Sequence, residues 1–150
     1  MEYKITLRDE SETIELAQNI ESEKFYNMVI CLNGDLGSGK TVFAKGFASA
    51  LGIDEVITSP TFNIVKEYTS GEIPLFHMDV YRLDETDVEI DFAEYFVKKG
   101  VTIIEWSDMI KDVLPEERLE INFKIIGENT RLVIIKPIGK RYEDLCEAVL

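Results

Sequence analysis

A chain of 150 residues with 45% hydrophobic and 10% aromatic content can bury a core as one globular domain, which excludes a disordered polymer. Lys and Arg total 16 against 29 Asp and Glu, a net charge of −13, and that field opposes unaided binding to a polyanion such as nucleic acid. No apolar run approaches the roughly 20 residues of a membrane span, no secretory leader pattern opens the chain, and Cys31 and Cys146 have neither metal-ligand spacing nor a disulfide framework, so a cytoplasmic protein is expected.

In chain order, Tyr3 to Leu7 alternates as a strand does, and Asp9 with Glu12 three residues later forms a capping-box pattern opening a helix to about Lys24. Met28 to Leu32 is a short apolar run suited to a buried strand. Gly34 to Gly39 is a glycine-rich turn, and the helix after it carries Phe43, Phe47 and Leu51 on one face before Gly52 stops it. Phe62 to Tyr68 and Ile73 to Val80 read as strands joined through Ser70-Gly71. Glu85 to Lys99 is acidic and partly helical. Val101 to Ile104 is a further buried strand with Glu105 at its end. Leu119 to Ile126 and Arg131 to Ile135 flank the turn Gly127-Glu128-Asn129, and the chain becomes helical again from about Tyr142. Strands that alternate with helices early and pair as hairpins later predict one α/β domain over 1–150, with a mixed central sheet and helices on both faces.

The most specific feature is Gly34-Asp35-Leu36-Gly37-Ser38-Gly39-Lys40-Thr41, which fits G-x-x-x-x-G-K-[ST] between an apolar strand and an amphipathic helix. Glycines let the main chain take positive φ values and approach a phosphate with no Cβ in the way. The turn points N–H groups inward, and the helix behind it adds the positive end of its dipole. Lys40 supplies a cation for the β- and γ-phosphates, and Thr41 a hydroxyl for Mg²⁺. The pattern predicts a three-layer P-loop NTPase-like fold whose nucleotide contacts run through Asp35, Leu36, Gly37, Ser38, Gly39, Lys40, Thr41 and Val42.

A nucleotide-bound Mg²⁺ usually needs a carboxylate at a neighbouring strand end. Asp79, after Leu75-Phe76-His77-Met78, and Glu105, after Ile103-Ile104, stand where apolar strands run out, the place of the ligand crevice in an open α/β sheet. One could hold the metal and the other polarise the attacking water; either could instead be a solvated strand-end acid. Strand periodicity places His77 and Asp79 on one face, within reach of a mutual hydrogen bond. Thr58-Ser59-Pro60-Thr61-Phe62 could reach a γ-phosphate as switch loops do, although alone it is only a turn signal. Arg82 could pair with phosphate or with a local carboxylate.

These blocks together, Gly34 to Thr41, then Ser59-Pro60-Thr61-Phe62, then His77-Met78-Asp79-Val80-Tyr81-Arg82-Leu83, then Ile104-Glu105-Trp106, closely resemble the TsaE (YjeE) family over nearly the whole chain. The resemblance implies an ATP- and Mg²⁺-binding ATPase of bacterial tRNA threonylcarbamoyladenosine biosynthesis. It would act with the TsaD and TsaB proteins on adenosine 37 of tRNAs that read codons beginning with A, meet tRNA only through that complex, and reset the complex by hydrolysis. It also implies that Lys40 is the phosphate lysine, that Thr41 and Glu105 lie at the Mg²⁺ site, that Asp79 is an essential acid near the metal or the water, that Thr61 belongs to a switch-like loop, and that Trp106 lies beside the site. Ser38 stands where alanine is also common in the family, which removes no required group.

A small-molecule P-loop kinase is the competing reading, but such kinases usually carry an arginine-bearing lid, and after Arg82 the arginines Arg118, Arg131 and Arg141 are scattered singly. A GTPase would be expected to carry an Asn-Lys-x-Asp segment, which the chain lacks. A nucleotide-gated binding module with incidental hydrolysis is separated only poorly from the coupling ATPase.

Overall fold

A computed structural model describes residues 1–60, 64–85 and 89–150. Seven strands, β1 (Tyr3–Leu7), β2 (Met28–Asn33), β3 (Val65–Tyr68), β4 (Leu75–Asp79), β5 (Val101–Glu105), β6 (Arg118–Ile125) and β7 (Arg131–Ile138), form one sheet in the order β1-β7-β6-β2-β5-β4-β3. The inner pairs β6/β2, β2/β5 and β5/β4 are parallel, whereas β1/β7, β7/β6 and β3/β4 are antiparallel. Every residue of β2 and β5 is buried, which is why both read as unbroken apolar runs: helices or turns cover them on each side.

Helices α1 (Glu10–Glu21), α2 (Lys40–Ala50) and α4 (Lys140–Val149) pack on one face, around Leu16, Ile20, Ile30, Phe43, Phe47, Ile103 and Ile121. The short α3 (Phe92–Phe96) and a 3-10 segment (Ser107–Val113) cover part of the other face, around Val29, Cys31, Met78, Ile104 and Ile110. The mixed sheet with helices on both faces is therefore the architecture expected. At α1 the Asp9 carboxylate accepts from the Glu12 N–H at 3.1 Å, while the Glu12 carboxylate reaches back to the Arg8 N–H at 2.7 Å, one residue beyond the usual box partner. The helix ends at Glu21 rather than Lys24, because Glu23 and Lys24 N–H turn to the carbonyls three residues back, tightening the last turn. Gly52, at φ +84°, closes the chain behind α2.

Both hairpins form; the strands of the first are shorter than expected, whereas in the second β6 begins and ends one residue earlier and β7 runs on to Ile138. The first keeps Val65–Tyr68 and Leu75–Asp79, preceded by Ile64 at φ +57°, and the expected strand start at Phe62 lies outside the described residues. Of the acidic stretch Glu85 to Lys99, the described helix is Phe92–Phe96. The Ser107–Val113 segment has a kink at Ile110 and no apolar periodicity that would announce it. What matters for the site is the sheet centre. The ends of β2, β5 and β4 lie side by side, with Leu32 opposite Glu105 and Glu105 opposite Asp79, so the phosphate-type loop and both acids emerge at one edge.

Candidate nucleotide site

The loop between β2 and α2 takes its shape from three glycines at positive φ, Gly34 (+150°), Gly37 (+79°) and Gly39 (+117°). A Cβ on Gly34 would lie 2.6 Å from the Ser38 hydroxyl and 2.7 Å from the Phe123 carbonyl, so Gly34→Ala is expected to lower stability by about 2 kcal/mol, read as a lower melting temperature, and to weaken ligand binding with it. Gly39 caps α2 with no side chain, which leaves the first N–H groups of that helix without a side-chain acceptor. The Ser38 hydroxyl is buried with no hydrogen-bond partner among the described residues. Uncapped amides and an orphan hydroxyl fit an anionic ligand that supplies acceptors.

Lys40 is 5% exposed. Its ammonium donates to the Gly34 carbonyl and, at 3.1 Å, to the Asp35 carbonyl, and lies 3.9 Å from the centre of the Trp106 ring. Burial pushes the Lys40 pKa down, opposed by the carboxylates of Glu105, Asp79 and Asp35. Its charge is thus under-compensated, which suits a cation waiting for phosphate.

Thr41 Oγ1 donates to Glu105 Oε1 at 2.9 Å, and the second carboxylate oxygen of Glu105 lies 2.6 Å from His77 Nε2. Glu105 is 2% exposed and His77 fully buried, with His77 Nδ1 lacking a partner among the described residues. Sequence periodicity allows a hydrogen bond between His77 and Asp79; the structure does not form it, because the imidazole meets Glu105 across the β4/β5 boundary. Asp79 instead accepts from the Ser59 hydroxyl at 2.8 Å and from the Tyr81 N–H at 3.1 Å. Trp106 sits at φ +64°, an uncommon conformation for a bulky residue, with its ring 4.5 Å from that of Tyr81. The Thr41 hydroxyl and the two carboxylates are hard oxygen donors at one edge of the sheet, the donor set that suits Mg²⁺.

A cleft of 310 Å³ runs along the loop and is lined by Leu36 to Val42, Ser59, Asp79, Glu105 and Trp106. The same cleft is also lined by Asp9, Glu10 and Thr13 at the start of α1, and by Asn129 and Arg131 of the β6–β7 hairpin. Lys40, Thr41, Asp79, Glu105 and Trp106 are therefore gathered as the sequence suggests. Asp35 and Leu36 are exposed on the loop, and Val42 is half-buried on the cleft. Thr61 lies outside the described residues. Arg82 is exposed and faces a neighbouring cavity with Leu36, Pro60 and Tyr81. Nothing in the sequence singles out Asp9 or Arg131 for the site: one reads as a helix cap and the other as an isolated arginine.

The family model for the threonylcarbamoyl adenosine biosynthesis protein TsaE matches residues 7–133. The chain belongs to the TsaE family. The match runs from the last residue of β1 into β7, so it takes in the loop, both acids and the hairpin wall. Among TsaE proteins, that of Bacillus subtilis (strain 168) is 49% identical over 119 residues, 79% of this chain and 75% of the relative. That of Nostoc sp. is 35% identical over 147 residues, 95% of this chain and 90% of the relative. The crystal structure of YdiB from Bacillus subtilis matches with a TM-score of 0.85 at 40% identity, over 99% of this chain and 94% of that one. The TsaE family is one of nucleotide-binding P-loop proteins in tRNA threonylcarbamoyladenosine biosynthesis, and its fold is the one described above. Among the described residues no helix is long and apolar enough to cross a membrane.

Proposed function

We propose that this chain binds ATP with Mg²⁺ and hydrolyses it as a cytoplasmic, single-domain subunit of the threonylcarbamoylation machinery, working with TsaD and TsaB and meeting tRNA only through them. The observation that carries the reading is the convergence of a buried, under-compensated Lys40 with the Thr41–Glu105 pair on a loop whose residues line an open cleft.

In this reading the triphosphate lies along Asp35 to Val42, with Lys40 at its β- and γ-phosphates. The base would occupy the rest of the same cleft, which Asp9 and Asn129 also line. Thr41 and Glu105 hold Mg²⁺ directly or through water, with Asp79 beside them. The metal, when bound, supplies charge neutralisation across the β- and γ-phosphates. His77 fixes the Glu105 carboxylate, because a buried carboxylate with a hydrogen bond to each oxygen cannot rotate freely. Asp79, steadied by Ser59 and the Tyr81 amide, orients the water whose oxygen bonds to the γ-phosphorus as the bond to the β–γ bridging oxygen breaks. Ser59 ties Asp79 to the segment that continues into Thr61, so loss of the γ-phosphate would be felt by that loop.

Hydrolysis by the isolated chain is expected to be slow, since Arg131, which lines the cleft, gives its donors to main-chain carbonyls rather than to a transferred phosphate. The test is association: immobilised TsaD–TsaB should retain this chain in Mg·ATP, release it in Mg·ADP, and raise its rate of phosphate release. Retention indifferent to nucleotide, with no change in rate, would refute the coupling role.

A further inference from the structure

Arg131 opens β7, registered against Leu7 of β1 on one side and Ile125 of β6 on the other, so its Cα is fixed by the sheet rather than by a loop. Its guanidinium reaches across the cleft wall to the phosphate-type loop. Nε donates to the Ser38 carbonyl at 3.1 Å and Nη2 to the Gly37 carbonyl at 3.1 Å. Nη1 faces back into the hairpin turn, donating to the carbonyls of Gly127 at 3.1 Å and Thr130 at 3.0 Å. Among the described residues its hydrogen-bond partners are all main-chain carbonyls.

A trans peptide is planar, with its C=O and N–H pointing in opposite directions. Holding the Ser38 carbonyl on Arg131 therefore fixes the Gly39 N–H on the side of that peptide away from the guanidinium, beside the uncapped start of α2. The glycines that give the loop its shape also leave it free to sample other peptide orientations. Without a clamp, part of the binding free energy would go into ordering them. Phe123 of β6 lies under Gly34 and Gly39, and supports the same segment from below.

We propose that Arg131 is the positioning residue of the phosphate loop: a strut between the β6–β7 hairpin and the carbonyls of Gly37 and Ser38 that presets the loop amides for a nucleotide's phosphates. This rests on the nucleotide-binding reading above. A planar fork that grips two carbonyls on one side and a turn on the other is a task for arginine; the single ammonium of a lysine cannot span it. The role differs from that of an arginine finger, which spends its donors on the transferred phosphate.

The test compares wild type with Arg131→Gln and Arg131→Lys by three readings: amide hydrogen exchange of Ser38, whose N–H donates to the Asp35 carbonyl, in nucleotide-free protein, ADP affinity by calorimetry, and turnover at saturating ATP. Arg131→Gln should speed exchange at the Ser38 amide and weaken ADP binding, each about tenfold, a larger change than in saturated turnover. Arg131→Lys should fall between them, and serves if the glutamine variant does not fold. Unchanged loop exchange and unchanged ADP affinity would overturn the proposal. So would a fall in turnover with ADP affinity intact, since that places the guanidinium on the reacting phosphate. If wild type bound no ADP while Arg131→Gln still loosened the loop, the nucleotide reading would fail and the strut would stand.

Discussion

Lys40→Ala is expected to lower Mg·ATP affinity by about 100-fold or more and leave the melting temperature close to that of wild type. The two halves of this expectation have one cause. Lys40 is buried against Trp106 and two carbonyls, with no carboxylate in direct contact, and burial lowers its pKa below the value it has in an unfolded chain. The unfolded chain therefore holds that proton more tightly, and the shift works against folding throughout neutral pH, being relieved only as pH rises through the lowered folded-state pKa. Removing the ammonium takes away that cost along with its two hydrogen bonds, so little net stability is lost. Phosphate reverses the sign by supplying the missing negative charge. Calorimetry gives the affinity and a melting curve gives the stability; a Lys40→Ala variant that binds and hydrolyses ATP normally would remove Lys40 from the site.

Glu105→Gln is expected to erase most of the gain in ATP affinity that Mg²⁺ confers, by at least about tenfold, while ATP binding in excess EDTA stays near wild type. The amide keeps the shape and polar contacts of the side chain but loses the negative charge that a divalent cation needs. Glu105→Ala should behave differently. It leaves the fully buried His77 without its partner, at about 1–3 kcal/mol for an unsatisfied buried group, and frees the half-buried Thr41 hydroxyl, so its melting temperature falls together with its metal response. Two variants at one position thus separate the charge from the scaffold. A glutamine variant with an unaltered Mg²⁺ response would show that Asp79 or the phosphates alone hold the metal.

Local signals in the sequence were strong where the structure is local. Asp9 and Glu12 announce α1, the glycines mark the loop, and Gly52 ends α2, because each acts through main-chain bonds a few residues away. The buried parallel strands β2 and β5 are legible from their unbroken apolar runs. What the sequence hides is pairing between distant segments. The strand period places His77 and Asp79 on one face, yet the partner of His77 is decided by the register of β4 against β5, which sets Glu105 opposite Asp79 and within 2.6 Å of the imidazole. Arg131 is 93 residues from Ser38, and only the insertion of β7 between β1 and β6 brings it to the loop. Asp9 is visible as a cap and invisible as a cleft wall for the same reason. The Ser107–Val113 segment carries no helical period, since its kink at Ile110 breaks any repeating face.

In the proposed function the amides of one loop, with Lys40 and Thr41, grip a triphosphate and its metal. Titrating wild type with ATP in the calorimeter, once with excess Mg²⁺ and once with excess EDTA, tests it most directly. One saturable site per chain, bound more tightly in Mg²⁺, is the predicted outcome. Absence of saturable heat at millimolar ATP, or binding indifferent to the metal, would contradict it.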